Sequence, residues 1–281
     1  MWYLARTADG RPFVGDDDGF VPLESAYRGA SNVRDALSRV ADERPEIDAA
    51  SATRSPAEGF AFGPFLARPG KLFGIGLNYA DHAADLSEQR PDEPASFFKP
   101  ATAATGPGGP IRLPPTDESS RVTAEAELAV VIGRTCRNVR AEDAADVVAG
   151  YAPVIDMTAE DVLQRNPRFL TRAKSYDTFL VLGPHIAVPE ADTTLDDIEV
   201  RTVVNGTVRA NNTVDNMHFS PRELVAVHSR VMTLEPGDVI FTGTPGAHRI
   251  EPGDRVRAEI DRIGSVGADV VRPDTDRGRQ A

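Results

Sequence analysis

The sequence has little cysteine, little lysine and no long apolar run. Its single cysteine, Cys136, cannot form a disulfide within the chain, and residues 1–11 lack the basic start and apolar stretch of a secretion signal. The longest apolar runs, such as residues 128–132, are about a quarter of the ~20 residues that a membrane-spanning helix needs. We therefore expect a cytoplasmic protein that does not enter a membrane.

Basic residues are too few for a nucleic-acid-binding surface. The 281 residues contain 43 acidic and 31 basic side chains, which gives a net charge of −12. Binding to duplex nucleic acid relies on a basic face that neutralises phosphates, so we expect no nucleic-acid partner. Glycine and proline are spread without a period, which excludes a collagen-like or low-complexity chain and leaves a loop-rich globular protein.

The chain divides into three predicted parts. Residues 1–66 are predicted to form a small N-terminal α+β domain. Its predicted elements are strands at 2–5 and 11–14 and a helix at 32–41. A stretch rich in proline, glycine and alanine at 54–70 leads into a main domain at 67–271. The charged tail, residues 272–281, has no aliphatic side chain larger than alanine and is predicted to be disordered.

Strands outnumber helices in the main domain. Apolar runs predict strands at residues 71–76, 128–133, 154–156, 198–205, 239–242 and 255–260. Helical patterns occur at residues 79–87, 141–148 and 220–231. The last of these starts with a capping box, in which Ser220 is the N-cap and Glu223 its partner. Because strands and helices do not alternate, a doubly wound sheet is disfavoured, and we predict an α+β fold that is mostly β.

An acidic pair precedes one of the apolar strand patterns. Glu125 and Glu127 run directly into residues 128–132, and in an extended segment they project from the same face. Two ionised carboxylates ~5 Å apart repel each other by roughly 3 kcal/mol at an effective dielectric constant of ~20. A hard divalent cation such as Mg²⁺, Mn²⁺ or Ca²⁺ would offset this repulsion. The alternative is a solvated strand edge.

A third acid, Asp156, stands where the apolar run of residues 151–155 stops. An acid at the end of a strand is either a metal ligand or the cap of a helix that follows it. Three carboxylates from strand ends, completed by water, would leave coordination positions open for the oxygens of a substrate.

His82 and Asp85 are candidates for a general base and its partner. In a helix that starts at Tyr79, these two side chains are three residues apart and share a face. An imidazole oriented by a carboxylate can act as a general base or acid near neutral pH. The alternative is an ordinary surface ion pair. Gly74 and Gly76, which precede them, do not form a dinucleotide fingerprint because the third glycine is absent.

Two further segments have the chemistry to meet an anion. Arg172 and Lys174 follow a loop, and Lys174 is one of only three lysines in a chain with 28 arginines. Residues 242–246 (TGTPG), which include Thr244, follow an apolar strand pattern with hydroxyls and a glycine that expose backbone N–H groups. The alternative for each segment is a plain turn.

Taken in order, these segments resemble the fumarylacetoacetate hydrolase family. The matching pieces are residues 76–79 (GLNY) with His82, 97–100 (FFKP), 106–108 (GPG), 125–133 (EAELAVVIG), 156–159 (DMTA), 173–178 (AKSYDT), 234–238 (LEPGD) and 242–245 (TGTP). They span about three quarters of the chain. The resemblance depends on the ordered set, not on any single piece.

The resemblance implies a fold, a cofactor and a set of site residues. The fold is a compact β-roll, usually in a homodimer, and the cofactor is Mg²⁺ or Mn²⁺. The implied metal ligands are Glu125, Glu127 and Asp156. The implied catalytic residues are His82 on a mobile lid, its partner Asp85, and Lys174. The implied substrate contacts are Asn78, Tyr79, Lys99, Arg172 and Thr244.

Three departures from the family pattern affect the choice of substrate. Asp85 stands where many hydrolytic members have glutamate, so the dyad is shorter by one methylene. Glu160 and Asp161 stand where an arginine that meets a substrate carboxylate is common, which reverses a charge near the site. The loop after Thr244 is short.

The residues and the resemblance together predict a metal-dependent enzyme of aromatic catabolism. Its reaction would be hydrolysis of a C–C bond in a small anionic diketo or 2-oxo acid, either an acylpyruvate or a fumarylacetoacetate-like acid, with the metal on the substrate's oxygens and water activated by His82. The first alternative is a decarboxylase or isomerase of oxaloacetate-like or hydroxymuconate-type acids at the same metal site. The second is a non-catalytic oxo-acid-binding protein.

Overall fold

The computed structural model describes residues 1–40, 42, 54–79, 92–190 and 193–273, and most regular structure in those ranges is strand. The strands are β1 (Trp2–Arg6), β2 (Pro12–Asp16), β3 (Gly19–Pro22), β4 (Leu72–Gly76), β5 (Ala95–Lys99), β6 (Ala104–Thr105), β7 (Ile111–Arg112), β8 (Val122–Ile132), β9 (Val148–Ala159), β10 (Leu180–Leu182), β11 (His185–Val188), β12 (Glu199–Val204), β13 (Thr207–Thr213), β14 (Val239–Phe241), β15 (His248–Ile250), β16 (Arg255–Ile260) and β17 (Gly264–Val271). The α-helices are α1 (Val33–Val40), α2 (Glu160–Arg165), α3 (Leu170–Lys174) and α4 (Pro221–Val231). The 3₁₀ helices are Leu23–Ser25, Ala101–Ala103, Ala141–Val147 and Val214–Asn216. The predicted class, α+β and mostly β, is confirmed.

The strands form two sheets, and the smaller sheet packs against β8 and β9 of the larger one. In the larger sheet the order is β3-β2-β1-β11-β9-β8-β14-β4-β5, with β10 on β9, β15 on β8, and β6 on β10. In the smaller sheet the order is β13-β12-β16-β17-β7. Strands β12 and β16 pack against β8, and β16 and β17 pack against β9. The two longest strands therefore lie at the centre of the molecule.

Side chains of β8 alternate between two environments, as a strand's period of two requires. One face packs toward the smaller sheet through Ala124, Ala126, Leu128, Val130 and Ile132. The other face carries Ala129 and Val131, which belong to the apolar cluster that includes α1. Glu125 and Glu127 lie on this second face, so the same alternation that buries the strand also sets the two carboxylates side by side.

Both central strands are longer than predicted. Strand β8 begins at Val122, so the acidic pair lies inside the strand and not at a solvated edge. Strand β9 continues to Ala159, so Asp156 is neither at a strand end nor a helix cap. A strand predicted from an apolar run stops at the first acid, because burying an unpaired carboxylate costs free energy. Here buried ammonium groups pair with the acids, and the strands continue through them.

The first 66 residues join the larger sheet and contain the two predicted strands and the predicted helix as β1, β2 and α1. Strand β1 pairs antiparallel with β11, and Leu37 of α1 belongs to the same apolar cluster as Val131 of β8. That these residues form a domain of their own stays a prediction. In the predicted disordered tail, residues 274–281 lie outside the described residues.

The helix predictions of the main domain have different outcomes. The 220–231 helix is confirmed as α4, with Ser220 as its N-cap, while the 141–148 helix is a 3₁₀ helix. Of the predicted 79–87 helix, Tyr79 forms a bridge with Met217 and the other positions lie outside the described residues. Across the described part of the chain, none of the helices has the length and apolar character needed to span a membrane.

We expect Ser220→Ala to lower the free energy of unfolding by about 1 kcal/mol, the usual effect of losing a helix N-cap. Ser220 Oγ accepts a hydrogen bond from the Glu223 N–H, and the Glu223 carboxylate accepts one from the Ser220 N–H at 2.8 Å. Urea unfolding measures the change. Ser25→Ala, at an exposed position, is the matched control, and an equal loss in both variants would contradict the capping role.

Candidate metal centre

Three carboxylates meet in the middle of the central strand pair. Glu125 of β8 lies directly opposite Asp156 of β9, and Glu127 follows two residues along β8. One oxygen of each lies within 4.8 Å of the others. Asp156 and Glu127 are 0% and 1% exposed, and Glu125 is 9% exposed. The structure therefore brings together the three acids that the sequence predicts as metal ligands.

Lys174, at the end of α3, is the nearest cation to this triad. Its Nζ donates to Asp156 Oδ2 at 2.6 Å and to Glu125 Oε2 at 3.1 Å. Burial alone would lower the pKa of Lys174, but the charges of Asp156 and the two glutamates outweigh it and raise that pKa above its usual value. Lys174 is therefore a fixed ammonium that holds two acids in place.

Lys99, at the end of β5, is a second buried cation that contacts the triad. Its side chain is fully buried, and its Nζ forms an ion pair with Asp156 Oδ1. The same Nζ donates to three backbone carbonyls, those of Met157 (3.0 Å), Lys174 (2.7 Å) and Phe179 (2.7 Å). Burial lowers the pKa of Lys99 to about 8, although the Asp156 charge acts in the opposite direction. Lys99, predicted as a substrate contact, is thus enclosed by oxygens of the protein itself.

The charges of this buried cluster do not balance. Within the described residues, three carboxylates face two ammonium groups, which leaves one net negative charge when all are ionised. Burial, and then the charges of Asp156 and Glu125, raise the pKa of Glu127 well above its usual value. A divalent cation would supply positive charge to these closely spaced carboxylates, and carboxylate oxygens are the ligands that Mg²⁺ and Mn²⁺ prefer. The donor set therefore fits either ion.

Two polar groups of the protein donate hydrogen bonds to the carboxylates of Glu125 and Glu127. The Gly243 N–H donates to Glu127 Oε2 at 2.5 Å, and Thr158 Oγ1 donates to Glu125 Oε1 at 2.7 Å. Gly243 has a φ of +94°, and a Cβ there would lie 2.8 Å from the Asn78 Cβ, so only glycine fits. The backbone N–H predicted to meet an anion thus meets the protein's own Glu127. Thr158 was missed, although its place two residues after Asp156 puts it on the same strand face.

Asn78 and Tyr79 occupy buried positions beside the centre. The Asn78 side chain donates to the Phe219 and Thr242 carbonyls (3.0 and 2.7 Å) and accepts from the Phe219 N–H (2.9 Å). Asn78 thereby ties its segment to the loop that carries Gly243. Tyr79 is fully buried, and burial, then the Glu127 charge, raise the pKa of its hydroxyl. No hydrogen-bond partner for that hydroxyl exists among the described residues.

A cavity of about 480 Å³ is lined by Glu125 of the triad. Its polar and charged lining residues are Thr123, Glu125, Thr158, Glu160, Gln164, Lys174 and Thr244. Its larger apolar lining residues are Ile75, Leu77, Phe97, Leu163, Pro167 and Leu170. Two predicted site residues, Lys174 and Thr244, therefore face this cavity together with Glu125. Arg172 is exposed on α3 and does not line it.

The predicted base and its partner, His82 and Asp85, lie outside the described residues. The segments on either side of them do contact the centre. Asn78 reaches the loop after β14, and Ala95 and Phe97 of β5 line the cavity. The pairing of His82 with Asp85 stays a prediction.

Comparison with known protein families identifies one match over most of the chain. The family described as fumarylacetoacetate (FAA) hydrolase, C-terminal, matches residues 71–271. The match covers more than two thirds of the chain and contains every predicted site residue.

Known proteins with similar sequences or structures carry out several reactions. A mitochondrial oxaloacetate tautomerase of Xenopus laevis is 39% identical over 215 residues, which are 73% of this chain and 67% of that protein. A bifunctional isomerase/decarboxylase of 4-hydroxyphenylacetate degradation from Escherichia coli is 40% identical over 75% of this chain and 49% of its own length. The maleylpyruvate hydrolase of Sphingobium sp. SYK-6, solved with manganese(II) and pyruvate, has a TM-score of 0.80 and 31% identity over 96% of this chain and 99% of that one.

Proposed function

Because this chain belongs to the fumarylacetoacetate hydrolase family, we propose that it is a metal-dependent enzyme that hydrolyses a C–C bond in a small diketo or 2-oxo acid. The observation that carries the proposal is the buried triad of Glu125, Glu127 and Asp156, of which Glu125 lines the cavity. Among the described residues, the triad has one more negative charge than its two lysines balance. The similar hydrolase solved with manganese(II) and pyruvate supports the choice of metal and of substrate class.

The chain's own residues prepare the centre for an anionic substrate. A bound divalent cation supplies a Lewis acid that stabilises the negative charge developing on an oxo group. Lys174 holds Glu125 and Asp156, and the Gly243 N–H orients Glu127. These groups are fixed before a substrate arrives, so no reorganisation is needed during the reaction. The apolar wall of the cavity accommodates the part of the substrate that lies away from its carboxylate.

We assign the activation of water to His82, with Asp85 as its orienting partner. In an acylpyruvate the imidazole would take a proton from water as the oxygen attacks the distal carbonyl carbon. The electron pair of the broken C–C bond would then remain on the pyruvate fragment, which takes up a proton. This part of the proposal comes from sequence and family resemblance.

A second candidate is enol–keto isomerisation or decarboxylation of a 2-oxo acid at the same centre. The similarity to two relatives favours it. These are the tautomerase and the isomerase/decarboxylase described above, which are 39% and 40% identical to this chain. Such reactions need the stabilised negative charge but no attacking water. The shorter arm of Asp85 is compatible with them.

Assays with purified protein distinguish these reactions. An acylpyruvate, oxaloacetate and a hydroxymuconate-type acid are supplied separately with Mg²⁺, with Mn²⁺ or with excess chelator. The proposal expects acylpyruvate cleavage that needs the metal. Turnover of oxaloacetate or the hydroxymuconate-type acid alone would replace hydrolysis by the second candidate, and full turnover in chelator would contradict the metal centre.

We expect His82→Ala to reduce acylpyruvate hydrolysis by about 10²-fold or more, the usual contribution of a general base. Mn²⁺ affinity, measured by calorimetry, should stay within the range of the wild type because the predicted ligands lie on other segments. Asp85→Glu, which restores the longer arm, should keep hydrolysis and serves as the matched control. Wild-type hydrolysis by His82→Ala would refute this assignment.

We also propose that the protein is a homodimer, as the family resemblance implies. Closed twofold assembly is also the commonest oligomeric state of proteins in general. Light scattering of the full chain measures it directly. A monomer at micromolar concentration would contradict it.

A further inference from the structure

The cavity next to the triad has charged side chains at two places only, within the described residues: Glu125 and Lys174 on the triad side, and Glu160 on α2. The Lys174 ammonium is already paired with Glu125 and Asp156. Within the described lining, no cation therefore remains for a second anionic group of a substrate.

Glu160 is separated from the triad by more than the length of a substrate's 2-oxo acid group. It is the first residue of α2 and follows β9 directly, four residues after Asp156. At a rise of ~3.3 Å per residue along the strand, the two Cα atoms are at most about 13 Å apart. A substrate with its 2-oxo acid head at the triad therefore reaches Glu160 only with the far end of a longer arm.

Two neighbours hold the Glu160 carboxylate in place. Its Oε2 forms an ion pair with Arg121, and its Oε1 accepts a hydrogen bond from Gln164 Nε2 at 3.3 Å. Arg121 is 46% exposed and does not line the cavity, whereas Gln164 does. Glu160 thus presents a positioned negative charge to the cavity, and its cationic partner is on the solvent side.

Large apolar side chains form part of the cavity lining besides Gln164 and the threonines. Leu163 of α2 and Leu170 of α3 contribute one part, and Phe97 of β5 contributes another. A carboxylate that enters such a surface loses water without gaining a partner, which is unfavourable. An alkyl or aryl arm gains free energy from the same burial.

From this arrangement we infer that the cavity selects 2-oxo acids with an uncharged, apolar arm, and that Glu160 is the residue that disfavours a second carboxylate at the end of that arm. The inference rests on the proposed function, because it takes the triad as the site of the 2-oxo acid head. It narrows the substrate class to monocarboxylic acylpyruvates.

A matched pair of substrates tests this selectivity. Pentanoylpyruvate and glutarylpyruvate have the same eight carbons and differ only in a terminal methyl or carboxylate group. Water adds across the same C–C bond in both, giving pyruvate with pentanoate or with glutarate. We expect the wild type to prefer pentanoylpyruvate in kcat/KM by about tenfold or more, since like charges interact over several ångströms at an effective dielectric constant of ~20.

Glu160→Gln keeps the size of the side chain and removes its charge. We expect it to raise the glutarylpyruvate to pentanoylpyruvate ratio of kcat/KM by about tenfold, mainly through KM for glutarylpyruvate, and Glu160→Arg to raise it further. Glu142→Gln, an exposed acid outside the cavity lining, is the control and should leave the ratio unchanged. An unchanged ratio in both Glu160 variants would overturn the inference.

Binding separates this inference from the proposed reaction. 2-Oxooctanoate and 2-oxooctanedioate lack the second carbonyl and are not cleaved, and their affinities for the Mn²⁺-loaded protein are measured by calorimetry. Tighter binding of 2-oxooctanoate, reversed in Glu160→Arg, with no turnover of either acylpyruvate would uphold the selectivity and refute the hydrolase. Turnover without any preference would do the opposite. Failure of all four acids to bind or react would refute both.

Discussion

Replacing Glu127 with glutamine is expected to abolish metal-dependent turnover and leave the fold intact. Metal Lewis acids contribute several kcal/mol to charge stabilisation, which corresponds to a loss of about 10³-fold or more. Glutamine has nearly the same shape and can still accept the hydrogen bond from the Gly243 N–H. The substitution therefore removes the charge that attracts the cation and preserves the packing.

The stability of the same variant depends on the metal in a specific way. In chelator, Glu127→Gln should be at least as stable as the wild type, because a buried like charge beside Asp156 and Glu125 is gone. With Mn²⁺ the wild-type Tm should rise, since a ligand that binds only the folded state stabilises it, and the variant's should not. Glu142→Gln, an exposed acid in a 3₁₀ helix, should behave as the wild type. Wild-type turnover by Glu127→Gln would contradict the metal centre.

Replacing Lys99 with methionine is expected to have the largest effect on stability. Removing one partner of a buried ion pair costs about 3–5 kcal/mol, because the remaining charge stays buried without compensation. Here the substitution leaves Lys174 as the one ammonium that contacts the three acids within the described residues, and it deprives three backbone carbonyls of a donor. Denaturant unfolding in chelator measures the loss.

The matched control for Lys99→Met replaces an exposed cation. Arg140, whose side chain is 68% exposed, pairs with Asp143, and exposed pairs contribute about 0–1 kcal/mol. Arg140→Met should therefore be nearly neutral. Mn²⁺ should restore part of the stability of Lys99→Met, because it supplies positive charge to the same acids. A loss below about 1 kcal/mol in Lys99→Met would show that Lys174 alone compensates Asp156.

The sequence reveals Glu125 and Glu127 as a pair because side-chain alternation is local. It does not reveal that Asp156 lies directly opposite Glu125, because strand register depends on residues far apart in the chain. The class of the fold follows from the excess of short apolar runs. The continuation of β8 and β9 through their acids does not, since it depends on lysines that arrive from β5 and α3.

Lysines show the same limit of local reasoning. The scarcity of lysine draws attention to Lys174, but sequence alone assigns it to a substrate anion and not to the protein's own acids. In the structure all three lysines pair with buried carboxylates, since Lys71 Nζ lies 2.6 Å from Asp238, whose side chain is 1% exposed. A compact ammonium fits such enclosed positions better than a planar guanidinium.

The opposition of Glu125 and Asp156 across β8 and β9 has a consequence for how the chain folds. A slip of one residue in β8 would turn both glutamates toward the smaller sheet and bring Ala124 and Ala126 to the opposite face. In that misaligned state the carboxylates could not meet Asp156, and a divalent cation would gain nothing from binding there. A bound cation would therefore stabilise only the correct register of β8 on β9.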